Sequence, residues 1–135
     1  MTHSARLVST LLAVVVATSG LSACGSDKPA VCDDVDALQS SVDNLKDVQV
    51  SENGVNALTS QLTQIKQDLQ QLTTDAKAEF GDDVSKVETA VTALQTSVTA
   101  AKSERTAASV SAVGTAIEGV TSSLSAMQEA VSGTC

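Results

Sequence analysis

The chain has 135 residues, 42% of them hydrophobic and 18% charged, with 16 acids against 8 bases, a single Phe and no Trp or Tyr. So acidic and ring-poor a composition lacks the basic footprint that nucleic acid or anionic lipid headgroups require, and the rings on which bases and sugars stack. Its one histidine, His3, lies in the first few residues, inside a segment that reads as a removable signal.

Arg6 precedes an apolar run from Leu7 to Ala17, which passes through small residues into Leu21-Ser22-Ala23-Cys24. This is the layout of an export signal with a processing site. The run is shorter than the about 20 residues that a membrane-spanning helix needs, and no second run of that length follows. Leu21-Ser22-Ala23-Cys24 resembles the lipobox of bacterial lipoproteins. The resemblance implies cleavage after Ala23, a thioether-linked diacylglycerol on Cys24, acylation of the palmitate type, and a protein held by lipid on the extracytoplasmic side of the cell membrane. Two or more acyl chains give stable anchoring where one gives only reversible binding. The other reading is an ordinary secretory signal cut near Ala23; lipidation is preferred because it accounts for an otherwise odd cysteine. Cleavage leaves 112 residues carrying seven bases against sixteen acids, a charge of −9 and enough chain for one domain with a modest core. The expected organisation is a signal peptide over 1–23, a lipidated tether over 24–31 and a helical domain over 32–135.

After the tether, apolar residues recur at three- and four-residue spacings in four runs. The first is Val31, Val35, Leu38, Val42 and Leu45, and the second Val55, Leu58, Leu62, Ile65, Leu69, Leu72 and Ala76, ending beside Phe80. The third is Val84, Val87, Val91, Leu94, Val98 and Ala101, and the fourth Val110, Val113, Ile117, Val120, Leu124, Met127 and Val131. Each set makes one stripe of an amphipathic helix. Asp33, Asp34 and Asp36 crowd the first turn of the first helix, and Asp82 and Asp83 that of the third, where the helix dipole favours carboxylates. Gly81 is the expected stop of the second helix. From Ala101 the seam would continue at Arg105 and Ala108, yet it resumes at Val110, so a turn is expected around Lys102 to Thr106. The second and fourth helices are expected to be the long ones, at roughly 26 residues and 39 Å, with the first and third shorter.

With Cys24 assigned to lipid by the lipobox resemblance, Cys32 and Cys135 remain as a pair in an oxidising compartment. An even number of antiparallel helices brings the chain back to the end where it began, so four helices place Cys135 beside Cys32. The expected fold is all-α: an antiparallel up-down four-helix bundle closed by a disulfide between its ends. A seven-residue tether extends at most about 25 Å, which sets the disulfide end toward the membrane.

Few residues offer chemistry. Asp33, Asp34 and Asp36 with Asp27 lack the glycine turn and distal bidentate acid of a calcium loop, and read better as an acid-rich helix start; Asp82 and Asp83 read likewise. Zinc has no ligand set without histidine or free thiols, and no nucleophile–base pair or phosphate loop is present. The expectation is therefore a non-enzyme with no metal and no cofactor. Val48 and Val50 alternate in the first connection, outside any stripe; they either fold over the tops of the second and fourth helices, the preferred reading, or form a partner-binding patch. Gly114 and Gly119 inside the fourth helix are read as sites of close helix approach. The Ser- and Thr-rich outer faces are solvated surface or acceptors of sugars.

The stretches Cys32-Asp33-Asp34-Val35-Asp36-Ala37-Leu38 and Ser132-Gly133-Thr134-Cys135 resemble the ends of small helical lipoproteins and secreted proteins of actinobacteria. The resemblance implies a scaffold and carries no activity onto any residue. It leads to an expected envelope lipoprotein acting in protein interaction or as a structural component, with the bilayer and an envelope protein as partners and nucleic acid excluded. The alternative is a carrier of an apolar ligand or lipid between helices, for which small seam layers at Ala76 and Ala101 are the only hint. Self-association through the heptad runs is a third option.

Overall fold

A computed structural model of the chain describes residues 28–48, 54–76 and 79–135. Four helices account for most of them: α1 (Ala30–Asp47), α2 (Gly54–Ala76), α3 (Gly81–Glu104) and α4 (Ala107–Val131). Each packs on its neighbours in sequence, α4 closes back on α1, and neither diagonal pair comes into close backbone contact. The fold is thus the expected up-down bundle. Its core is the set of seam residues, with Leu38, Val42, Leu45, Leu58, Ile65 and Leu124 among those wholly withdrawn from solvent. Burying a Leu or Ile side chain contributes about 1.5 to 3 kcal/mol, so four stripes of Val and Leu supply most of the driving force for the helices to associate.

Local chemistry sets the helix ends. Pro29, with extended backbone (φ −56°, ψ 147°), precedes α1 and accepts a bond from the Cys32 N–H at 3.0 Å; its fixed φ suits a helix start. At the head of α4, Thr106 and Ser109 form a reciprocal capping box: the Ser109 N–H donates to Thr106 Oγ1 at 3.1 Å and the Thr106 N–H to Ser109 Oγ at 3.0 Å. The chain turns from α3 into α4 through Arg105, in the left-handed region at φ 44°, and Thr106.

Several details depart from the sequence expectations. The α3–α4 turn is only Arg105 and Thr106, because Lys102, Ser103 and Glu104 continue α3 until the left-handed residue stops it. With 24 residues α3 is no shorter than α2 with 23. Gly81 opens α3 instead of closing α2; the N–H groups of Glu79 and Phe80 already return to the Ala76 carbonyl, at 3.2 and 2.9 Å, and Asp82 and Asp83 occupy the first turn that follows. In α4 the seam position expected of Val110 is taken by Ser109, which the capping box turns inward. Ile117 is only half-buried, since α1, with 18 residues, ends before the 25-residue α4 does.

The exposed helix faces are rich in hydroxyls that compete with helical hydrogen bonding. Here they fold back on the helix. Along α3, Ser85, Thr89, Thr92, Thr96 and Thr99 each donate to the carbonyl four residues earlier, at 2.8 to 3.1 Å.

Candidate functional site

The Cys32–Cys135 disulfide is present, with Cα atoms 5.8 Å apart across 103 residues of sequence. Cys32 is buried at 2% exposure on the first turn of α1, whereas Cys135 is exposed at the end of the turn following α4. The Cys135 N–H donates to the Val131 carbonyl at 2.8 Å, which carries the last residue over the bundle end. Cys24 lies outside the described residues. A shallow groove of about 360 Å³ runs beside the bridge, lined by Lys28, Val35, Asp36, Gln128 and Val131.

The acids that open α1 divide between two faces. Lys28 reaches both Asp36, at 2.9 Å, and Asp33, at 3.3 Å, and these two carboxylates hold the Lys28 ammonium pKa above its usual value, Asp36 contributing most. Asp34 points the other way, toward α2. Its carboxyl pKa is pushed up to about 6, first by desolvation and then by the neighbouring Asp75. Its Oδ2 atom is buried without a hydrogen-bond donor among the described residues, although the side chain as a whole is only partly covered. One heptad along the same seam, the buried Ser41 hydroxyl donates to Asp68 Oδ2.

A glutamine four residues earlier in α2 supports each α2 acid. Gln64 donates to Asp68 Oδ1 and Gln71 to Asp75 Oδ2, both at 2.8 Å. The seam thus carries a polar rung, Ser41–Asp68, with Asp34 and Asp75 each seven residues away from it along their helices. Reading the acids of α1 as one acid-rich helix start missed this division. The usable signal was the seven-residue spacing of Asp34 and Ser41 set against that of Asp68 and Asp75. No group of three metal-ligating side chains gathers among the described residues.

At the opposite end, Val48 is half-buried and packs against the core cluster, while Val50 lies outside the described residues. Val48 and Lys46 line one side of a groove of about 680 Å³, with Gly114, Ile117, Glu118 and Thr121 on the other. This groove marks where α1 stops and α4 runs on. The close-approach reading of Gly114 and Gly119 does not hold: a Cβ built on either meets no atom within 4 Å, because both lie on the exposed side of α4.

No helix among the described residues is long and apolar enough to cross a membrane. Compared with protein-family models, curated proteins and solved structures, the chain matches none.

Proposed function

We propose that this protein is a lipid-anchored lipoprotein of the cell envelope, whose non-catalytic helical bundle acts as an interaction or structural component on the extracytoplasmic side. The observation that carries the reading is the run Leu21-Ser22-Ala23-Cys24 standing seven residues ahead of a disulfide-closed domain. A thiol at the cleavage point serves lipidation, and a second pair of thiols that is stable when oxidised belongs in an exported domain. The acidic charge supports a domain held off an anionic membrane surface. In this orientation the disulfide end sits within about 25 Å of the lipid, and the α1–α2 and α3–α4 connections face outward toward partners. A carrier would need under-filled layers in the seam. Ala76 and Ala101, at 1% and 0% exposure, instead belong to the continuous core, which favours the interaction reading.

The test is native mass spectrometry of the protein extracted from its membrane in gentle detergent without reductant. The expected mass is that of the chain from Cys24 with its acyl groups, less two hydrogens for the bridge, together with a stoichiometric protein adduct. An unacylated mass overturns the anchor. A tightly held lipid beyond the acyl groups replaces the interaction role with the carrier.

A further inference from the structure

Two walls of unlike charge face each other across the groove at the far end of the bundle. Lys46 and Val48 stand on its α1 side, and Gly114, Ile117, Glu118 and Thr121 on its α4 side. The Gln128 amide donates to Gln39 at 3.3 Å, which fixes α4 against α1. Seven residues further along each helix, Lys46 therefore stands level with Thr121 and within about one turn of Glu118. Among the described residues Lys46 pairs with Asp43 of its own helix, at 2.9 Å, and one such contact leaves two of its three N–H donors. Glu118 has no ion pair among the described residues. Val48 and Ile117 are half-buried apolar side chains on opposite walls, and a Cβ on Gly114 would meet nothing within 4 Å.

We propose that this groove is the contact surface for a second copy of the chain, with two bundles pairing side by side about a twofold axis that runs along their length. A closed pair of identical chains uses the same patch on both sides, so the patch must complement itself. This axis exchanges the two walls: Glu118 of each copy faces Lys46 of the other, and Ile117 of each faces Val48 of the other. A twofold axis across the bundle would instead set Glu118 against Glu118 and Lys46 against Lys46, and like charges exclude it. A helical side chain leans toward the N-terminus of its helix, so Ile117 of the second copy leans to the level of Gly114, where no Cβ blocks it. Both disulfide ends then point the same way, as two chains on one membrane require.

The distribution of charge selects this side of the molecule. The only charged residues of α4 are Glu118 and Glu129, so chains this acidic repel one another least along it. Asp43 and Asp47, the acids at the end of α1, do not line the groove. A strip along α4 about 37 Å long and about 10 Å wide covers on the order of 400 Å² per copy, half of what a stable interface buries. The pair is therefore reversible in solution, and chains held on one membrane meet at a far higher effective concentration. The inference names the partner for the interaction role proposed above and rests on that reading, but the contact itself does not depend on the anchor.

The experiment is sedimentation equilibrium of the full chain in detergent, over a concentration series reaching about 1 mM, with the intact mass of the same sample reporting acylation separately. The wild type should show a concentration-dependent equilibrium between monomer and dimer. Lys46→Glu and Glu118→Lys each place like charges at both contacts of the pair, and each should weaken the dimer on the order of tenfold. The double exchange Lys46→Glu with Glu118→Lys should restore it, which a variant that merely misfolds would not do. A monomer at every concentration overturns the pairing, whether or not the chain is acylated. A dimer that both single variants leave unchanged overturns it too, by assigning association to another surface or to the acyl chains. An unacylated dimer with the expected pattern of variants supports the pairing and removes only the anchor.

Discussion

Thr106 and Ser109 satisfy one another's backbone groups at the head of α4, and Ser109 does so from a buried position at 8% exposure. A cap of this kind is worth about 1 kcal/mol. Thr106→Ala should therefore lower the unfolding free energy by about that amount in urea titration. Thr99→Ala, which removes a hydroxyl bonded only to the carbonyl of its own helix at 2.8 Å, should change it by less than about 0.5 kcal/mol. A loss from Thr99→Ala equal to that from Thr106→Ala would show that the cap has no special role. The acids divide on the same principle of what each side chain touches. Gln39 and then Lys46 hold the Asp43 carboxyl pKa below its usual value, whereas desolvation and Asp75 do the reverse to Asp34.

At the scale of the helix, α4 combines a largely buried stripe with an outer side of small residues. Gly114 and Gly119 stand on that outer side with open space where a Cβ would go. Glycine inside a helix costs about 1 kcal/mol relative to alanine, through backbone entropy. Gly114→Ala and Gly119→Ala should each stabilise the bundle by about 0.5 to 1 kcal/mol, measured by thermal or urea unfolding. A destabilisation would restore the close-packing reading that the geometry rejects. Legibility follows the same division. Val31 through Leu45 in α1 and Val55 through Ala76 in α2 were readable because each helix packs along its whole stripe, and period alone identifies that face. Val110 and Ile117 were misread because their burial depends on a capping box and on the length of a neighbouring helix, which the period of one segment does not encode. Gly81 was misassigned because glycine serves at either end of a helix, and the backbone bonds to Ala76 that decided the matter are invisible in the residue types.

For the molecule as a whole, the parity of the helices brought Cys32 to Cys135. The Ser41–Asp68 rung was not legible from composition, since it needs the relative register of two helices. Closing so long a loop is worth roughly 4 to 5 kcal/mol in the chain-entropy view, a large share of what a domain of this size possesses. Reduction should therefore lower the thermal midpoint by roughly 16 to 40 °C, taking about 4 to 8 °C per kcal/mol for a domain near 100 residues. The measurement is a melt with and without reductant, monitored by circular dichroism. An unchanged midpoint would remove the bridge from the list of major stabilising elements. The acidic character has a simple spatial pattern: α1 carries five aspartates, while α4 carries only Glu118 and Glu129. The far end of the bundle, where α1 stops short, therefore combines an open groove with the least charged helix.

The bond between the first turn of α1 and the final residue also makes the domain a covalent ring. A protease that cuts once anywhere between Cys32 and Cys135 opens the ring but releases no fragment, since both pieces remain joined through sulfur. Likewise, a pull on the chain ahead of Cys32 draws on a loop whose two ends are the same point, so it cannot peel the helices off one after another. A domain tied in this way tolerates a nick or a tug that would dismantle an open bundle of the same helices.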